Sequence, residues 1–475
     1  MTLKELFNID DDTKIVSIEE DSRKVVKGSV FVCINGLTVD GHNYADKAVQ
    51  NGAILVVSER KLDVGVHNVI VDNSYDAFAN LNSKFYDYPS LNMKMIGVTG
   101  TDGKTTTSTI IYQMLKDGFK AGYMGTNGVY YNDKKLESNM TTPPANVTVS
   151  NLAKMKNDGV DVVSMEVGSH SLQLKRVASL LFDIMIFTNL THEHLNDHGT
   201  MENYFKIKSK LFEMNKNDNN NRIINVDDKY GKILASKYKN RCLTYGINND
   251  ADFSAKNIKL YDNRTTFTFS YKNKDYEIES PLLGIFNVYN LLSAIAALTC
   301  LNLDIETIKE KILNISNIDG RMMIVKGHNK TAIVDFAHTE NGLKCLIDYV
   351  NQIKTAKTWI VLGSAGERDT SKRSDMGKLV VDMVDNVIFT MEDPRNESVS
   401  DIIKDMTKDL DGENYKIIED RKEAILYALS NSLEDDIVLV TGKGNDKFHY
   451  IKNDKIELCD YEIVYNYLNK KDTNR

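Results

Sequence analysis

Several features that would mark a membrane, secreted or nucleic-acid-binding protein are missing from this sequence of 475 residues. No apolar run approaches the roughly 20 residues that a transmembrane helix needs. The opening MTLKELFNIDDD has no basic stretch followed by an apolar one, so we expect no secretory signal. The formal net charge of -8 argues against nucleic acid as the main partner. A nucleotide stays possible because it needs only one local positive pocket.

Paired cysteines are also lacking. The five cysteines are scattered through the chain, and none belongs to a CxxC pair. Scattered thiols in uneven number are typical of a reduced cytoplasmic protein, so we interpret them as structural rather than catalytic. No internal repeat is evident, and the polar run at 215–221 is expected to be a surface loop.

The rhythm of apolar segments predicts an α/β fold in three domains, at 1–90, 91–325 and 326–475. The first contains short strands, at 30–34 and 53–57, and a helix near 44–50. The second alternates longer elements, with strands at 95–99, 160–167 and 184–188 and a helix at 104–116. In the third domain, strands are predicted at 332–334, 359–362, 386–390 and 437–440, and helices at 342–353, 376–384 and 400–410. This alternation predicts parallel sheets covered by helices, with a P-loop type of central domain and a Rossmann-like third domain.

The strongest local signal is a glycine-rich phosphate loop, GVTGTDGKTTT, at 97–107. It follows an apolar strand and opens a helix, so its glycines let backbone N–H groups converge on phosphate oxygens. Lys104 would neutralise the β- and γ-phosphates, and the Thr105 hydroxyl would ligate Mg²⁺. A glycine-rich turn with an accidental lysine is the structural alternative. The loop indicates a nucleotide, but kinases, GTPases and ligases can all carry it.

Two further polar segments follow predicted strands. SMEVGSH at 164–170 places Glu166 at a strand tip, where a carboxylate could hold Mg²⁺ directly or through water. FTNLTHEHLNDH at 187–198 has three of the nine histidines within seven residues. This segment suits a metal or phosphate-facing loop, and a polar surface turn is the alternative.

Together these segments resemble the Mur ligases, in the family's order and at family-like separations. The asparagine motif GIFNVYN at 284–290, the pair Gly320-Arg321, and DFAHT at 335–339 extend the resemblance. The family has tyrosine where this chain has Phe336. The closest likeness is to the MurE type, which adds the third residue of the peptidoglycan stem peptide to UDP-N-acetylmuramoyl-L-alanyl-D-glutamate. Asp21-Ser22-Arg23 and Gly41-His42 resemble that type's uridine-nucleotide domain.

The resemblance implies ATP-dependent amide-bond formation through an acyl phosphate, with ATP and Mg²⁺ as cofactors. It implies a cytoplasmic monomer that acts on a UDP-linked dipeptide and an amino acid, without nucleic acid or membrane. The residues implied at the ATP site are Gly100, Thr101, Asp102, Gly103, Lys104, Thr105, Thr106, Asn287, Asn290, Arg321, Asp335 and His338. Those implied at the substrates are Ser22, Thr141, Thr142, Ser169, Arg176, Glu392, Asp393, Arg395, Gly442 and Asp446. Catalytic roles are implied for Lys104, Glu166, His194 and Lys208, and Mg²⁺ ligation for Thr105, Glu166, His194 and Lys208.

Lys208 is singled out because MENYFKIKSKLF at 201–212 matches the family's helix that bears a carbamylated lysine. A buried lysine can lose its proton and react with carbon dioxide, which turns a cation into a carboxylate-like metal ligand. Without the resemblance, Lys208 is one of three lysines in a basic stretch with Lys206 and Lys210.

The third domain is expected to choose the amino acid. MEDPR at 391–395 resembles the family's D-N-P-R motif, in which the arginine binds the distal carboxylate of meso-diaminopimelate. Arg395 therefore favours diaminopimelate over lysine, because a guanidinium would repel the lysine ammonium. Several positions depart from the family pattern: Gly168, Glu193, Glu392, Asp393 and Asp446. They leave open another diamino acid, or a paralogue that binds without catalysis. A P-loop phosphotransferase or a switch GTPase is also open, although neither uses the GIFNVYN segment.

Overall fold

The structure of the protein is a computed structural model that describes residues 1–36, 39–138, 140–216, 221–410, 412–452 and 454–469. Residues 217–220 of the polar run predicted as a surface loop therefore lie outside the described residues.

A small parallel sheet occupies the first 92 residues. Its strands are β1 (Ser17–Glu19), β2 (Ser29–Val32), β3 (Ala53–Ser58) and β4 (His67–Ile70), and the helices are α1 (Leu3–Phe7), α2 (Ala45–Gln50) and α3 (Ser74–Phe85). The strands lie in the order β1-β2-β3-β4, and each neighbouring pair is parallel. β2 is buried throughout, as its run of valine and phenylalanine predicts for a strand covered on both faces. The predicted strands and helix of this region are confirmed.

The region from 94 to 313 contains the longest series of elements. Its strands are β5 (Lys94–Thr99), β6 (Ala121–Gly125), β7 (Gly128–Tyr131), β8 (Lys134–Leu136), β9 (Val162–Glu166), β10 (Ile184–Phe187), β11 (Arg222–Asn225), β12 (Leu243–Gly246), β13 (Phe253–Leu260), β14 (Thr265–Tyr271) and β15 (Lys274–Ser280). Its helices are α4 (Lys104–Leu115), α5 (Ala145–Asn157), α6 (Ser169–Gln173), α7 (Leu195–His198), α8 (Met201–Ser209), α9 (Lys229–Lys237), α10 (Ile285–Cys300) and α11 (Ile305–Leu313).

The strands of this region pair in both directions rather than purely in parallel. β5, β6 and β9 pair in parallel, as predicted, whereas β7 and β8 join them antiparallel. β13, β14 and β15 form a second antiparallel meander. Its tight turn at Lys272-Asn273 has positive φ at both residues (49° and 59°), which suits a two-residue hairpin. The prediction followed the βα rhythm and did not include these hairpins.

The third region is a Rossmann-like sheet with helices on both faces. Its strands are β16 (Met323–Gly327), β17 (Lys330–Asp335), β18 (Thr358–Leu362), β19 (Asn386–Phe389), β20 (Tyr415–Ile417), β21 (Ile437–Thr441), β22 (Phe448–Ile451) and β23 (Asp454–Glu457). Its helices are α12 (Glu340–Ile353), α13 (Arg373–Met383), α14 (Val399–Thr407), α15 (Arg421–Asn431) and α16 (Asp460–Asn469). The main sheet has the order β16-β17-β21-β18-β19-β20, and only β16 runs antiparallel to its neighbour. One apolar core joins α12, α13 and α14 to the sheet, and another joins α15 and α16 to it.

The described chain divides into two compact units. Unit 1 comprises Met1–Thr99, Leu115–Ile186 and Lys206–Arg222, and unit 2 comprises Gly100–Met114, Phe187–Phe205 and Ile223–Arg475. Unit 1 thus contains the first sheet and the strands β5 to β9, and unit 2 contains the phosphate loop, α10 and the third region. In the part of the chain that the structure describes, no helix combines the length and apolarity needed to cross a membrane.

Candidate active site

The phosphate loop lies between the end of β5 and the start of α4. Gly100 has a φ of 151°, and a Cβ at this position would lie 1.8 Å from the Thr188 hydroxyl. Only glycine therefore fits, because the chain needs an unusual backbone angle and a close approach at the same residue. Thr105 and Thr106 are buried in the first turn of α4. The helix N-terminus predicted from the sequence is confirmed.

The loop is anchored to the segment that follows β10. The Thr101 N–H donates to the Asn189 carbonyl (2.9 Å), and the Asp102 N–H donates to the Asn189 side-chain oxygen (2.9 Å). The Thr188 hydroxyl donates in turn to the Asp102 carbonyl (2.6 Å). These bonds hold the loop in one conformation, so less ordering is required when phosphate binds.

The Lys104 side chain folds back onto its own loop. Its ammonium donates to the carbonyls of Gly100 (3.0 Å) and Thr101 (2.8 Å). The charge is therefore directed at the loop that precedes α4, where backbone N–H groups and the helix dipole also favour an anion. The role of Lys104 in binding phosphate stays a prediction.

The asparagine motif connects α10 to the phosphate helix. The Thr107 hydroxyl donates to the Asn290 side-chain oxygen (3.1 Å), and the Asn290 amide donates to the Asn287 side-chain oxygen (3.0 Å). The Asn287 amide donates to the Leu283 carbonyl (2.8 Å). Both asparagines are buried, so this chain of bonds fixes the distance between the two helices. A contact with adenine stays a prediction.

Arg321 of the third region contacts the phosphate helix, and Asp335 lies near Arg321. The Arg321 guanidinium donates to the Thr105 hydroxyl (3.2 Å) and lies 4.5 Å from the ring centre of Phe336. A phenylalanine ring offers the cation the same π face as the tyrosine that the family has there. Asp335 accepts hydrogen bonds from two backbone N–H groups, those of Met322 and Ala337, and burial raises its pKa.

His338 is neutral at ordinary pH. Burial, and then the nearby Lys372 ammonium, lower the pKa of His338 to about 3. Its Nδ1 lies 2.8 Å from the Phe336 carbonyl and must be the donor in a neutral ring. The Nε2 atom is then a hydrogen-bond acceptor, which suits a hydroxyl partner better than a phosphate.

Arg421 fixes the two polar segments that follow β19 and β21. It forms a fully buried, bidentate ion pair with Asp460 (2.7 and 2.9 Å). Its remaining N–H groups donate to the carbonyls of Met391 (3.1 Å) and Thr441 (2.7 Å). These two residues directly precede Glu392 and Gly442, so the bonds of Arg421 set the position of both predicted substrate segments. Arg421 was not predicted from the sequence.

Two of the residues that depart from the family pattern, Asp393 and Asp446, contact the same lysine. The Lys443 ammonium donates to Asp393 (2.8 Å) and lies 3.2 Å from Asp446. The Tyr450 N–H donates to the other oxygen of Asp393 (3.1 Å). Asp393 is thus bound within the protein, whereas the half-exposed Asp446 carboxylate stays accessible to a substrate.

The backbone around Arg395 is strained. Asp393 and Arg395, on either side of Pro394, have positive φ values of 35° and 50°. Such angles cost about 1–3 kcal/mol each and persist only where the surroundings impose them. Here the Arg395 N–H donates to the Tyr450 carbonyl (3.0 Å), and its guanidinium donates to the Gly366 carbonyl (2.5 Å). The fold therefore fixes the direction in which the Arg395 guanidinium points.

A second arginine lies near this site. Burial, and then repulsion from Arg395, lower the pKa of Arg368. Two guanidinium groups that repel each other are stabilised when an anion binds between them, and a carboxylate accepts from such groups with favourable geometry. Arg368 lies in the loop after β18 and was missed because no motif quoted from the sequence includes it.

Glu392 fills the space beside Gly442. Gly442 has a φ of 106°, and a Cβ there would lie 2.2 Å from Glu392 Oε2. That oxygen is buried and has no hydrogen-bond partner among the described residues. Burial raises the pKa of the Glu392 carboxyl to about 7, although Arg421 and Lys443 act in the opposite direction. Glu392 is therefore close to half protonated at neutral pH.

The raised pKa of Glu392 predicts a pH-dependent stability. Between about pH 4.5 and 7 the folded protein keeps a proton that the unfolded chain releases, so this stabilisation is complete below pH 4.5 and is lost as the pH rises through 7. Glu392→Gln, a neutral replacement of the same shape, should raise the free energy of unfolding by roughly 2–3 kcal/mol at about pH 8.5 and change it little near pH 5. The single tryptophan, Trp359, lies in β18 and reports unfolding of this region by fluorescence. The exposed Glu457→Gln is the control, and an equal gain at both pH values would contradict the prediction.

In unit 1, Glu166 is held by neutral donors. The Tyr123 hydroxyl donates to Oε1 (2.6 Å), as does the Thr126 N–H (2.8 Å), and the Thr126 hydroxyl donates to Oε2 (3.2 Å). An oriented carboxylate of this kind fits Mg²⁺, which takes oxygen ligands. Tyr123 was not predicted, because the sequence alone does not distinguish an aromatic residue in a buried strand from an ordinary core residue.

The threonine pair that the resemblance assigns to substrate lies beside Glu166. The Thr142 hydroxyl donates to the Glu166 carbonyl (3.0 Å), and Arg176 donates to the Thr142 carbonyl (3.0 Å). The Thr141 and Thr126 hydroxyls lie 3.0 Å apart. Ser169, also predicted at the substrate, is buried at the start of α6. The structure thus brings Thr141, Thr142 and Arg176 together around Glu166.

An open cleft of about 260 Å³ lies beside Arg176 in unit 1. Its walls include Glu20, Tyr75 and Arg176, together with apolar surface from Ile34 and Ala145. Burial lowers the pKa of Arg176 and raises that of Glu20. Ser22, the predicted uridine-side residue, is buried in the turn after β1. The cleft combines a cation with an aromatic face, a combination suited to a nucleotide-linked ligand.

Lys208 and His194 complete the predicted metal ligands. Lys208 lies on α8, and its residue is only 1% exposed, whereas Lys206 and Lys210 are exposed. His194 has a positive φ of 56° at the start of α7, and its Nδ1 lies 3.9 Å from Asp197. Lys208 belongs to unit 1 with Glu166, and His194 belongs to unit 2 with Thr105. Their ligation of Mg²⁺ stays a prediction.

A phosphate loop, a neutral histidine and a charged cluster in a Rossmann-like region define a nucleotide-dependent α/β enzyme. Three family descriptions match nearly the whole chain: the Mur ligase family catalytic domain over residues 14–92, the Mur ligase middle domain over 98–298, and the Mur ligase glutamate ligase domain over 320–444. The chain belongs to the Mur ligase family, whose members are ATP-dependent amide-bond-forming ligases. The resemblance seen in the motifs is confirmed, and the phosphotransferase and GTPase alternatives are excluded.

Relatives of known name extend over nearly the full length. The chain is 38% identical to the UDP-N-acetylmuramoyl-L-alanyl-D-glutamate–2,6-diaminopimelate ligase of Bacillus licheniformis, with 96% of this chain and 94% of the relative covered. It is 37% identical to ligase 1 of that name from Clostridium acetobutylicum, with 98% and 97% covered. A solved structure of a ligase of the same name superposes with a TM-score of 0.69 at 27% identity, covering 98% of each chain. The three-domain α/β architecture predicted from the sequence is confirmed.

Proposed function

We propose that this protein joins a diamino acid, in first place meso-2,6-diaminopimelate, to the D-glutamate of UDP-N-acetylmuramoyl-L-alanyl-D-glutamate. The observation that carries the proposal is the similarity to ligases of that name at 37–38% identity, with at least 94% of either chain covered. We also propose that it works as a monomer in the cytoplasm, within peptidoglycan synthesis. The three domains are proposed to extend over 1–90, 91–325 and 326–475.

The reaction proceeds in two steps. The γ-carboxylate of the D-glutamate attacks the γ-phosphorus of ATP, so that an acyl phosphate forms and ADP leaves. The amine of the diamino acid then attacks the acyl carbon, and phosphate leaves as the amide forms and the nitrogen loses a proton. Because two anions must approach in the first step, the Lys104 charge above the phosphate loop makes the largest contribution of a single side chain. The loop bonds from Thr188 and Asn189 keep this charge in place.

The ATP site is proposed to include residues from the loop and from the third region. Gly100 to Thr106 surround the phosphates, and Arg321 orients the Thr105 hydroxyl. Asn287 and Asn290 fix α10 against the phosphate helix. The neutral His338 and the buried Asp335 supply hydrogen-bond acceptors from the third region.

Thr105, Glu166, His194 and a carbamylated Lys208 are proposed to hold Mg²⁺. Their oxygen atoms and imidazole are suitable donors, and Glu166 is already oriented by Tyr123 and Thr126. When bound, Mg²⁺ would offset phosphate charge as the carboxylate attacks.

The amino-acid site is proposed to lie around Arg395. Arg395 and Arg368 together favour a ligand with a distal carboxylate, which diaminopimelate has and lysine lacks. Asp446 is proposed to accept from the distal ammonium, and Gly442 and Glu392, which contact each other, are proposed to line the same site. Asp393 contributes by fixing Lys443 and the strained turn.

The UDP-linked substrate is proposed to enter unit 1. Ser22 and the cleft beside Arg176 would receive the nucleotide-linked end. Thr141, Thr142 and Ser169 would face the peptide end near Glu166.

The test is phosphate release from ATP with UDP-N-acetylmuramoyl-L-alanyl-D-glutamate and one amino acid at a time. We expect turnover with meso-diaminopimelate to exceed that with lysine by at least about 100-fold in kcat/KM, because lysine leaves the two guanidinium groups without an anion. LL-diaminopimelate and other diamino acids complete the series. In Arg395→Lys the preference should weaken, whereas the same replacement at Arg264, a half-exposed arginine of the second region, is the control. Higher activity with lysine would contradict the assignment, and binding of ATP without turnover on any amino acid would indicate a paralogue retained for binding.

A further inference from the structure

A buried ion pair links two segments whose functions are otherwise separate. Glu193 belongs to the segment after β10 that carries His194, and Lys372 belongs to the loop between β18 and α13 that carries Arg368. The Lys372 ammonium lies 2.9 and 3.2 Å from the two oxygens of Glu193. Both side chains are only 8% exposed, so solvent does little to weaken the pair.

Neighbouring contacts follow the same path between the two segments. The His192 Nε2 lies 3.1 Å from the Ser371 hydroxyl and 3.4 Å from Asp369. The Leu195 N–H donates to Asp369 (3.3 Å). Residues on both sides of Glu193 therefore contact residues within three positions of Lys372, and the ion pair lies within this larger contact.

Lys372 also reaches the ATP side of the site. Its ammonium donates to the His338 carbonyl (2.9 Å), next to the turn in which Thr339 caps α12. The Thr339 hydroxyl donates to the Asp102 carboxylate of the phosphate loop (3.2 Å). A single cation thus connects the His194 segment, the Arg368 loop and the start of α12.

The ion pair explains a residue that the family pattern leaves unaccounted for. The sequence has Glu193 where the family has aspartate, and an aspartate would be one methylene, roughly 1.5 Å, shorter. Both oxygens of Glu193 are directed at Lys372, and contacts of 2.9–3.2 Å would be lost with the shorter side chain. A buried ion pair contributes little net stability compared with apolar residues of similar size. We therefore expect the pair to fix the relative position of the two segments rather than to stabilise the fold.

We propose that Lys372 is a positioning residue, which through Glu193 holds the segment that carries His194 against the loop that carries Arg368. The pair makes the arrangement of the segment that carries His194 depend on that of the loop that carries Arg368. It acts after ATP has bound, because the phosphate loop has its own anchors at Thr188 and Asn189. Breaking the pair should therefore affect use of the amino acid and turnover more than ATP binding.

The experiment is a double-mutant cycle with Lys372→Met, Glu193→Gln and the double variant, each assayed with whichever amino acid supports turnover in the parent protein. Because the assay uses whichever amino acid the parent protein accepts, its outcome does not depend on the assignment of diaminopimelate as the substrate. We expect each single variant to lower kcat/KM for the amino acid by about 10- to 100-fold, while the dissociation constant for ATP changes by less than about two-fold. The double variant should be no worse than the poorer single variant, because both remove the same interaction. Glu193→Asp should lower kcat/KM as well, although it keeps the charge.

Lys330→Met is the matched control, because Lys330 donates to a backbone carbonyl, that of Leu429, in the same region. Its kcat/KM should stay within about two-fold of the parent. The double variant leaves no unpaired buried charge, so it keeps the test valid where a single variant fails to fold. The inference is wrong if the single effects multiply in the double variant, if ATP binding weakens by the same factor as kcat/KM, or if Glu193→Asp has full activity.

Discussion

Lys104→Ala is expected to lower kcat by at least about 1,000-fold while the protein stays folded. The reaction brings a carboxylate to a phosphate that already carries negative charge, so loss of the one loop cation removes electrostatic stabilisation when it is most needed. In the structure the Lys104 ammonium lies 2.8–3.0 Å from two loop carbonyls, directed at the place where phosphates would bind. Phosphate release under saturating substrates measures the loss.

The stability of this variant should change little. Lys104 donates to carbonyls of its own loop, and the loop has separate anchors at Thr188 and Asn189. Lys116→Ala, an exposed lysine just after the same helix, should retain full activity. Near-normal turnover of Lys104→Ala, in protein with an unchanged unfolding transition, would show that the phosphates bind elsewhere.

The repeating βα elements could be predicted from the sequence because they bury continuous apolar runs. β18, β19 and β21 were placed to within about two residues, as was the start of α4 after the glycines. The hairpins β7–β8 and β13–β15 could not be predicted in this way. The β14–β15 turn needs positive φ at Lys272, which is not a typical turn residue. The β7–β8 turn has positive φ at Asn132 and Asp133, which are typical turn residues, but the βα pattern made no use of them.

The predicted site residues came from motifs, and the structure adds the residues that hold them. Arg421, Tyr123 and Lys372 belong to no motif that was recognised, and each acts through a neighbour rather than directly. Arg421 is a buried arginine whose partners lie 20 to 39 positions away. A separation of this kind leaves no local pattern, so such a residue is found only when the chain is seen folded.

Burial also distinguishes three lysines that the sequence could not tell apart. The stretch with Lys206, Lys208 and Lys210 offers three chemically equal lysines, and only the resemblance favoured the middle one. The structure leaves Lys206 and Lys210 exposed and buries Lys208 on α8. Burial thus distinguishes Lys208 from its two exposed neighbours and supports it as the lysine that the resemblance singles out.

Lys208→Ala is therefore expected to lower kcat by about 100- to 1,000-fold, because a carbamate would be lost from the proposed Mg²⁺ ligands. Lys206→Ala is the matched control from the same helix and should stay within about two-fold of the parent. Carbamylation has a readout that does not depend on activity: protein equilibrated with ¹³C-bicarbonate should show one carbamate carbon by NMR. This signal should persist in Lys206→Ala and vanish in Lys208→Ala. Full activity of Lys208→Ala, or a carbamate signal that survives in it, would remove Lys208 from the metal site and leave its burial as a feature of packing alone.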